Sequence, residues 1–145
     1  MKLKKFFKVT IHSNCISLAL LTIRIVAGAA FMIHGWGKIQ NAFGWMGPQA
    51  PVPAFLQFLA ALSEFGGGLC WIVGLILPLA SAGIGVTMIV ATLLHMVMLK
   101  DPFVSMSPGG GSYELAAIYL TIALLFLATG PGKYSLDSKI FGEQK

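Results

Sequence analysis

The sequence predicts an all-α integral membrane protein, built as a bundle of four transmembrane helices with both termini in the cytoplasm. Three observations support this: the composition, four long apolar runs, and lysines concentrated at the two ends of the chain. Of the 145 residues, 57% are hydrophobic and only 10% are charged, and the mean hydropathy is +0.82. A soluble domain carries charges on roughly a quarter of its residues. The lipid bilayer is therefore the expected surrounding of this chain.

Each of the four apolar runs is close to the length of a membrane crossing, which needs about 20 mostly apolar residues. Segments rich in proline and glycine, which end helices, separate the runs. These breaks are "NAFGWMGPQAPVP" at 41–53, the region of Pro78, and "KDPFVSMSPGGGS" at 100–112. We expect one transmembrane domain over residues 1–145, with helices at residues 16–33, 54–77, 79–99 and 113–129.

The first helix follows "MKLKKFFK", a start that is also typical of cleavable signal peptides. Arg24 lies inside the apolar run, and a charge there disfavours a signal peptide. We therefore expect this segment to be retained as a membrane helix.

The lysines predict the orientation of the bundle. Most of them flank the first and fourth runs, whereas Lys38 and Lys100 lie at the opposite end. Cytoplasmic loops carry the excess of Lys and Arg, so both termini are expected inside. Because the basic residues do not alternate with exposed aromatic ones, nucleic-acid binding is the weaker interpretation of the positive charge, and we expect no nucleic-acid partner. The flanking lysines are Lys2, Lys4, Lys5, Lys8, Lys133, Lys139 and Lys145.

Ionisable residues inside the apolar runs are the candidate functional residues, because a charge in the membrane usually points inward to a partner. At 1.5 Å per residue, Arg24 and Glu64 are expected at similar depths near the middle of the bilayer, as mutual counter-ions. A second group is expected near the outer surface, lining a cavity open to the periplasm: His34, Lys38, His95 and Glu114. The six residues together form the predicted ligand-binding site.

Other catalytic chemistry has little support in the sequence. The two cysteines, Cys15 and Cys70, are too far apart for a redox CxxC motif or a zinc site. We find no phosphate-binding glycine loop and no nucleophile motif. Any activity is therefore expected to depend on the charged residues within the membrane.

Several motifs in order resemble the DoxX family. They are "R-x-x-x-G-x-x-F-x-x-H-G-x-x-K" at 24–38, "SEFGGGLCWIVGL" at 63–75, His95, "GGGSYELA" at 109–116 and "GPGKYSLD" at 130–137. The resemblance implies a small four-helix protein of the bacterial cytoplasmic membrane. Such proteins are described as oxidoreductases or electron-transfer subunits, and some relatives resemble components of thiosulfate:quinone oxidoreductases.

Three functions remain open from the sequence. The first is a subunit of a quinone-linked oxidoreductase, working with partner subunits or as a homo-oligomer, in which the ionisable cluster binds a quinone. The second is haem or copper binding through His34 and His95, with Met98 as a further copper ligand, because imidazole and thioether groups suit these metals. The third is a non-catalytic scaffold or assembly subunit whose charges hold the helices together.

Overall fold

The computed structural model describes Phe7 and residues 9–144, and this part of the chain is largely helical. Five lysines of the orientation argument lie outside the described residues: Lys2, Lys4, Lys5, Lys8 and Lys145. The helices are α1 (Asn14–Gln40), α2 (Ala54–Val73), α3 (Leu77–Leu93), α4 (Glu114–Thr129) and the short α5 (Leu136–Phe141). A π-helical segment, Leu94–Leu99, continues α3. Strand β1 (Val9–Thr10) pairs in parallel with β2 (Glu143–Gln144).

Within the described residues, three helices are long and apolar enough to cross a membrane: α1, α2, and α3 together with its π-helical continuation. Helix α4 is apolar but has only 16 residues. The prediction of a helical membrane protein is confirmed. The count of four crossings and the cytoplasmic position of both termini stay predictions.

Two helix ends differ from the sequence prediction. Helix α1 continues to Gln40 instead of ending near residue 33, because its glycines are packing positions and not breaks. A Cβ atom on Gly35 would lie 2.6 Å from the Phe65 backbone nitrogen. Helix α2 ends at Val73, because Gly74 adopts a left-handed conformation (φ 68°) and its N–H donates to the Cys70 carbonyl.

Helices α1 and α2 pack closely in antiparallel directions. A Cβ on Gly28 would lie 2.6 Å from the Gly68 carbonyl oxygen, so these backbones approach as small residues allow. Edge-on aromatic contacts join Trp71 of α2 to Phe31 of α1 and to Phe126 of α4. The Trp71 indole N–H donates to Ser81 Oγ of α3 at 3.0 Å. One buried cluster therefore links helices α1 to α4.

Candidate functional site

The predicted ion pair between Arg24 and Glu64 is wrong. Arg24 is 1% exposed and donates to backbone carbonyls alone among the described residues. Nε bonds Trp71 O at 2.7 Å and Nη2 bonds Ile72 O at 2.9 Å, both at the end of α2. Nη1 reaches the carbonyls of Pro131 and Tyr134 at 2.8 and 2.9 Å. The guanidinium therefore joins the end of α2 to the segment that follows α4.

The error came from the helix ends. The close contacts of Gly28 with Gly68 and of Gly35 with Phe65 set the antiparallel register of α1 and α2. In this register Arg24 lies level with Trp71, and Glu64 lies about 10 Å away along the axis of α2. The expected equal depth rested on a first helix that ended near residue 33, whereas α1 continues to Gln40 and Arg24 lies farther from its C-terminal end.

Asp137 completes this end of the bundle, and sequence reasoning gave it no role. Its carboxylate oxygens accept the N–H groups of Ile76 and Leu77 at 2.7 and 2.9 Å, where α3 begins. Its own N–H donates to Gly74 O at 2.8 Å. Burial raises the pKa of Asp137 above its ordinary value, while these N–H groups and nearby Arg24 act in the opposite direction. We call Arg24, Asp137, residues 71–77 and residues 130–137 the junction.

A cavity of about 600 Å³ lies at the other end of α2, between the end of α1, the 41–53 loop, α2 and α3. Most of its wall is apolar. The apolar lining residues include Trp45, Met46, Val52, Leu56, Leu59, Ala60, Val86, Val90, Ala91 and Leu94. The polar side chains on the wall are Lys38, Gln57, Ser63, Glu64, Thr87 and His95.

The most buried charge at the cavity is Glu64, which is 3% exposed. Its Oε1 lies 2.6 Å from the Lys38 ammonium, which also sits 4.5 Å from the centre of the Trp45 ring. Its Oε2 is buried and has no hydrogen-bond partner among the described residues. Buried polar atoms are normally paired, so an unpaired carboxylate oxygen beside a cavity is typical of a site that binds water or a ligand.

Gln57 fixes the 41–53 loop over the cavity. Its side-chain amide accepts from the Met46 N–H at 3.1 Å and donates to Val52 O at 2.8 Å. The Trp45 indole N–H donates to the Gln57 backbone oxygen at 3.0 Å. The loop that the sequence presents as a simple break is thus an ordered wall of the site.

His95 contributes to the cavity wall from the π-helical segment that continues α3. Its Nδ1 is 2.7 Å from Asp101 Oδ2, and the Asp101 N–H donates to His95 O at 2.9 Å. Lys100 between them has a left-handed backbone (φ 55°), which turns the chain back toward His95. Asp101 was missed because it stands in a proline- and glycine-rich segment with no periodic signal. π-Helical segments inside α-helices occur frequently at functional sites.

The cavity therefore brings together three of the six predicted site residues, Lys38, Glu64 and His95. Arg24 lies at the junction. His34 is exposed and does not line the cavity, and half-buried Glu114 opens α4 away from it.

The alternative metal set of His34, His95 and Met98 is not assembled on this cavity, and Met98 is 60% exposed. Within the part of the chain that the structure describes, no group of three or more His, Cys, Asp or Glu residues is placed to hold a metal ion.

One side of the cavity lies at the outer surface of α2 and α3. Leu56, Val86 and Val90 line it and are 50%, 63% and 49% exposed. Exposed apolar side chains on membrane-spanning helices are the surface that lipid covers. The arrangement can therefore receive an amphiphilic molecule from the bilayer, with its polar group at Glu64 and His95.

Comparison with known proteins gives independent evidence on the family of this chain and its location in a membrane. The family model named DoxX matches residues 19–96. The chain is 34% identical over 129 residues to "Inner membrane protein YqjF" of Escherichia coli K12, covering 83% of this chain and 90% of that protein. It is 27% identical over 134 residues to "Putative oxidoreductase CatD" of Bacillus subtilis 168, covering 88% and 91%. No solved structure matches the chain.

These matches confirm the predicted location in the inner membrane and extend over the helices that build the cavity. The matched residues 19–96 include Lys38, Glu64 and His95, and the relatives align over most of their length. The chain belongs to the DoxX family.

Proposed function

We propose that this chain is a membrane subunit of a quinone-linked oxidoreductase, and that its cavity binds the head group of a lipid-soluble quinone. The observation that carries the proposal is the pairing of buried Glu64 with half-buried Lys38 beside an apolar cavity that reaches the lipid-facing surface. This pairing leaves the second carboxylate oxygen of Glu64 without a partner among the described residues. Lys38, Glu64 and His95 are the proposed binding residues. The Bacillus subtilis relative is named as an oxidoreductase, which supports the same proposal.

The shape and lining of the cavity fit such a ligand. Small-molecule sites usually have volumes of about 300–1,000 Å³ and are mostly apolar with a few polar groups that orient the ligand. Here the apolar wall would contact the ring and the first part of an isoprenoid tail. The polar groups of Glu64 and His95 would hydrogen-bond the oxygens of the ring.

A purely structural role explains the cavity less well. Charges that only hold helices together are expected to be fully paired, because each unpaired buried oxygen costs free energy. Arg24 meets that expectation with four hydrogen bonds, whereas Glu64 does not. The haem and copper hypothesis finds no shared ligand set on the cavity wall and is not favoured.

We also propose the finer topology: four crossings, both termini in the cytoplasm and the cavity near the periplasmic surface. The pairing of β1 with β2 supports it, because it places the two ends of the described chain on one face of the membrane. An even number of crossings then requires α4 to cross. Its 16 residues extend about 24 Å, somewhat less than a typical hydrocarbon core. Periplasmic labelling of a cysteine placed at residue 2 or 145 would contradict this topology.

The function is tested by quinone binding to the purified protein in lipid nanodiscs. Decylubiquinol, the reduced form of a short-tailed quinone, should bind to the wild type, and the Glu64→Gln, His95→Ala double variant should bind it at least about tenfold more weakly. Thr87→Val is the matched control, because Thr87 lines the cavity but its hydroxyl already donates to Gly83 O at 3.0 Å. Equal binding by the double variant and the wild type would contradict the proposed site.

A further inference from the structure

We infer that the cavity prefers the reduced, dihydroxy form of its ligand over the oxidised dione form. This inference rests on the proposed function and adds a preference between redox states. The preference follows from polar atoms of the cavity wall that have no hydrogen-bond partner in the described part of the chain. The unpaired atoms of Glu64 and His95 are both hydrogen-bond acceptors.

The first acceptor is Glu64 Oε2. The salt bridge at 2.6 Å to Lys38 uses Oε1 and keeps the carboxylate paired with a cation. An ionised carboxylate can only accept hydrogen bonds. The free Oε2, buried and without a described partner, is therefore suited to an O–H or N–H donor of a ligand.

The second acceptor is His95 Nε2. The Asp101 carboxylate, 2.7 Å from Nδ1, accepts hydrogen bonds and does not donate them, so the proton of the neutral imidazole lies on Nδ1. Nε2 of that tautomer carries a lone pair and accepts. Asp101 thus acts as a positioning residue that sets which nitrogen of His95 faces a ligand. A Cβ on Gly111 would clash with the Asp101 carboxylate, so this glycine lets the 107–112 loop close over the pair.

The other polar groups on the wall do not reverse this preference. Both ends of the Gln57 amide are bonded to the 41–53 loop, and the Thr87 hydroxyl donates to Gly83 O. The Ser63 hydroxyl can rotate to donate or accept, so it does not discriminate. The Lys38 ammonium bonds Glu64 and packs on Trp45, and its remaining N–H groups can donate to an oxygen of either form, so it does not discriminate.

A quinol offers two hydroxyl donors, whereas a quinone offers two carbonyl acceptors. A carbonyl placed against Glu64 Oε2 and His95 Nε2 would leave the buried Oε2 and the half-buried Nε2 without a donor and would repel their lone pairs. Sites built to bind a hydroxyl strongly reject analogues that lack it, for this reason. We expect at least about a tenfold difference in Kd between the two forms, because only the quinol can donate a hydrogen bond to the charged carboxylate.

The test measures the Kd of three ligands on the wild-type protein in nanodiscs at mildly alkaline pH: decylubiquinol, decylubiquinone and the dimethyl ether of decylubiquinol. The ether keeps the ring and tail but has no hydroxyl donor. We expect the quinol to bind at least about tenfold more tightly than either of the others. Equal Kd values for quinol and ether, or tighter binding of the quinone, would overturn the inference.

Variants identify the two acceptors. Glu64→Gln and His95→Phe should each reduce the quinol-to-quinone preference several-fold, and the double variant should remove it. Asp101→Leu should also reduce the preference for quinol, although Asp101 itself is not proposed to contact the ligand. In this variant ¹⁵N NMR of His95 should show a smaller fraction of the Nδ1–H tautomer. Thr22→Val should keep the preference of the wild type, because Thr22 is exposed on α1 outside the cavity and its hydroxyl donates to Leu18 O at 3.0 Å. A folded Asp101→Leu protein with an unchanged His95 tautomer would refute the positioning role.

The outcomes separate the inference from the function on which it rests. Binding of all three ligands with equal affinity removes the inference and leaves a quinone site. Binding of none of them by a folded protein removes both.

Discussion

The junction and the cavity each contain a buried charged side chain from a membrane helix, yet the two are satisfied in different ways. Arg24 donates to four carbonyl oxygens and bridges segments far apart in sequence. Within the part of the chain that the structure describes, Glu64 has one salt bridge, and its second carboxylate oxygen has no partner. The difference shows that the presence of a charge in the membrane does not by itself mark a binding site. The number of hydrogen bonds that the charge leaves unmade is the better guide.

The surroundings of the two charges agree with this distinction. The junction holds Asp137 at the start of α3, so helix ends and a connecting segment are closed against one another. At the other end of α2, apolar side chains surround a cavity of about 600 Å³. Substitutions at the junction should therefore affect stability, and substitutions at the cavity should affect ligand binding.

The largest expected effect is that of Arg24→Met. It removes four hydrogen bonds and leaves buried carbonyl oxygens unpaired, so it should destabilise the folded protein by about 3–5 kcal/mol. Thermal unfolding in detergent, followed by circular dichroism, measures the loss. Arg24→Lys keeps the charge but not the planar, forked guanidinium. Its melting temperature should therefore lie between those of the wild type and Arg24→Met. Unchanged melting of Arg24→Met would erase the contrast between junction and cavity.

A smaller but still large effect is expected from Gly28→Val, which acts midway between the two regions. The added side chain would meet the Gly68 carbonyl and Ile72 within 3 Å and force α1 away from α2, at a cost of about 1–3 kcal/mol or more. Both stability and quinol binding should fall, because the Lys38–Glu64 pair spans the same helix interface. Gly37→Val is the matched control, since a Cβ there meets nothing within 4 Å. Equal losses in the two variants would contradict the close-packing argument.

Asp137→Asn should reduce stability by about 1–3 kcal/mol. The carboxylate accepts hydrogen bonds from two backbone N–H groups, and in the variant the NH₂ of the amide would face one of them, donor against donor. Quinol binding at the far end of the bundle should stay unchanged. A loss of binding without a loss of stability would break the division between the two regions.

The pH dependence of this variant provides the control. Because the folded pKa of Asp137 is raised above the unfolded value, the folded state holds the proton more readily. Its contribution to stability is fully present below the unfolded pKa and is lost as pH rises through the folded pKa. The wild type should therefore gain stability relative to Asp137→Asn when the pH is lowered from neutral toward about pH 4. The opposite trend would show that the pairing with backbone N–H groups and Arg24 outweighs burial.

The smallest effect on stability is expected from Glu64→Gln, at about 1 kcal/mol or less. The amide keeps the size of the side chain, and Lys38 near the end of α1 can extend toward water when its partner is neutral. The same change should markedly weaken the preference for quinol. Destabilisation as large as that of Arg24→Met would make Glu64 a structural residue and would end the comparison.

Much of the fold was predictable because apolar runs and their glycine and proline breaks are local properties of the sequence. The presence of Lys38, Glu64 and His95 at a polar site also followed from the cost of charge in a membrane. Partners were not predictable in the same way. Arg24 binds backbone carbonyls, which every residue has, and Asp101 approaches His95 only through a left-handed turn at Lys100. The continuation of α1 to Gln40 also changed the depth of Arg24 relative to Glu64.

The hydrogen bonds of Arg24 also set an order of events during biosynthesis. Arg24 belongs to the first helix made, but Pro131 and Tyr134, which accept from its Nη1, follow it by 107 and 110 residues. At translation rates of about 5–20 residues per second, these partners emerge roughly 5–20 s later. Until then the guanidinium can bind only the end of α2 or the lipid and water around it. The segment that follows α4 is therefore the one that closes α1 into the bundle, and a chain truncated before residue 131 keeps an incompletely bonded arginine in its membrane domain.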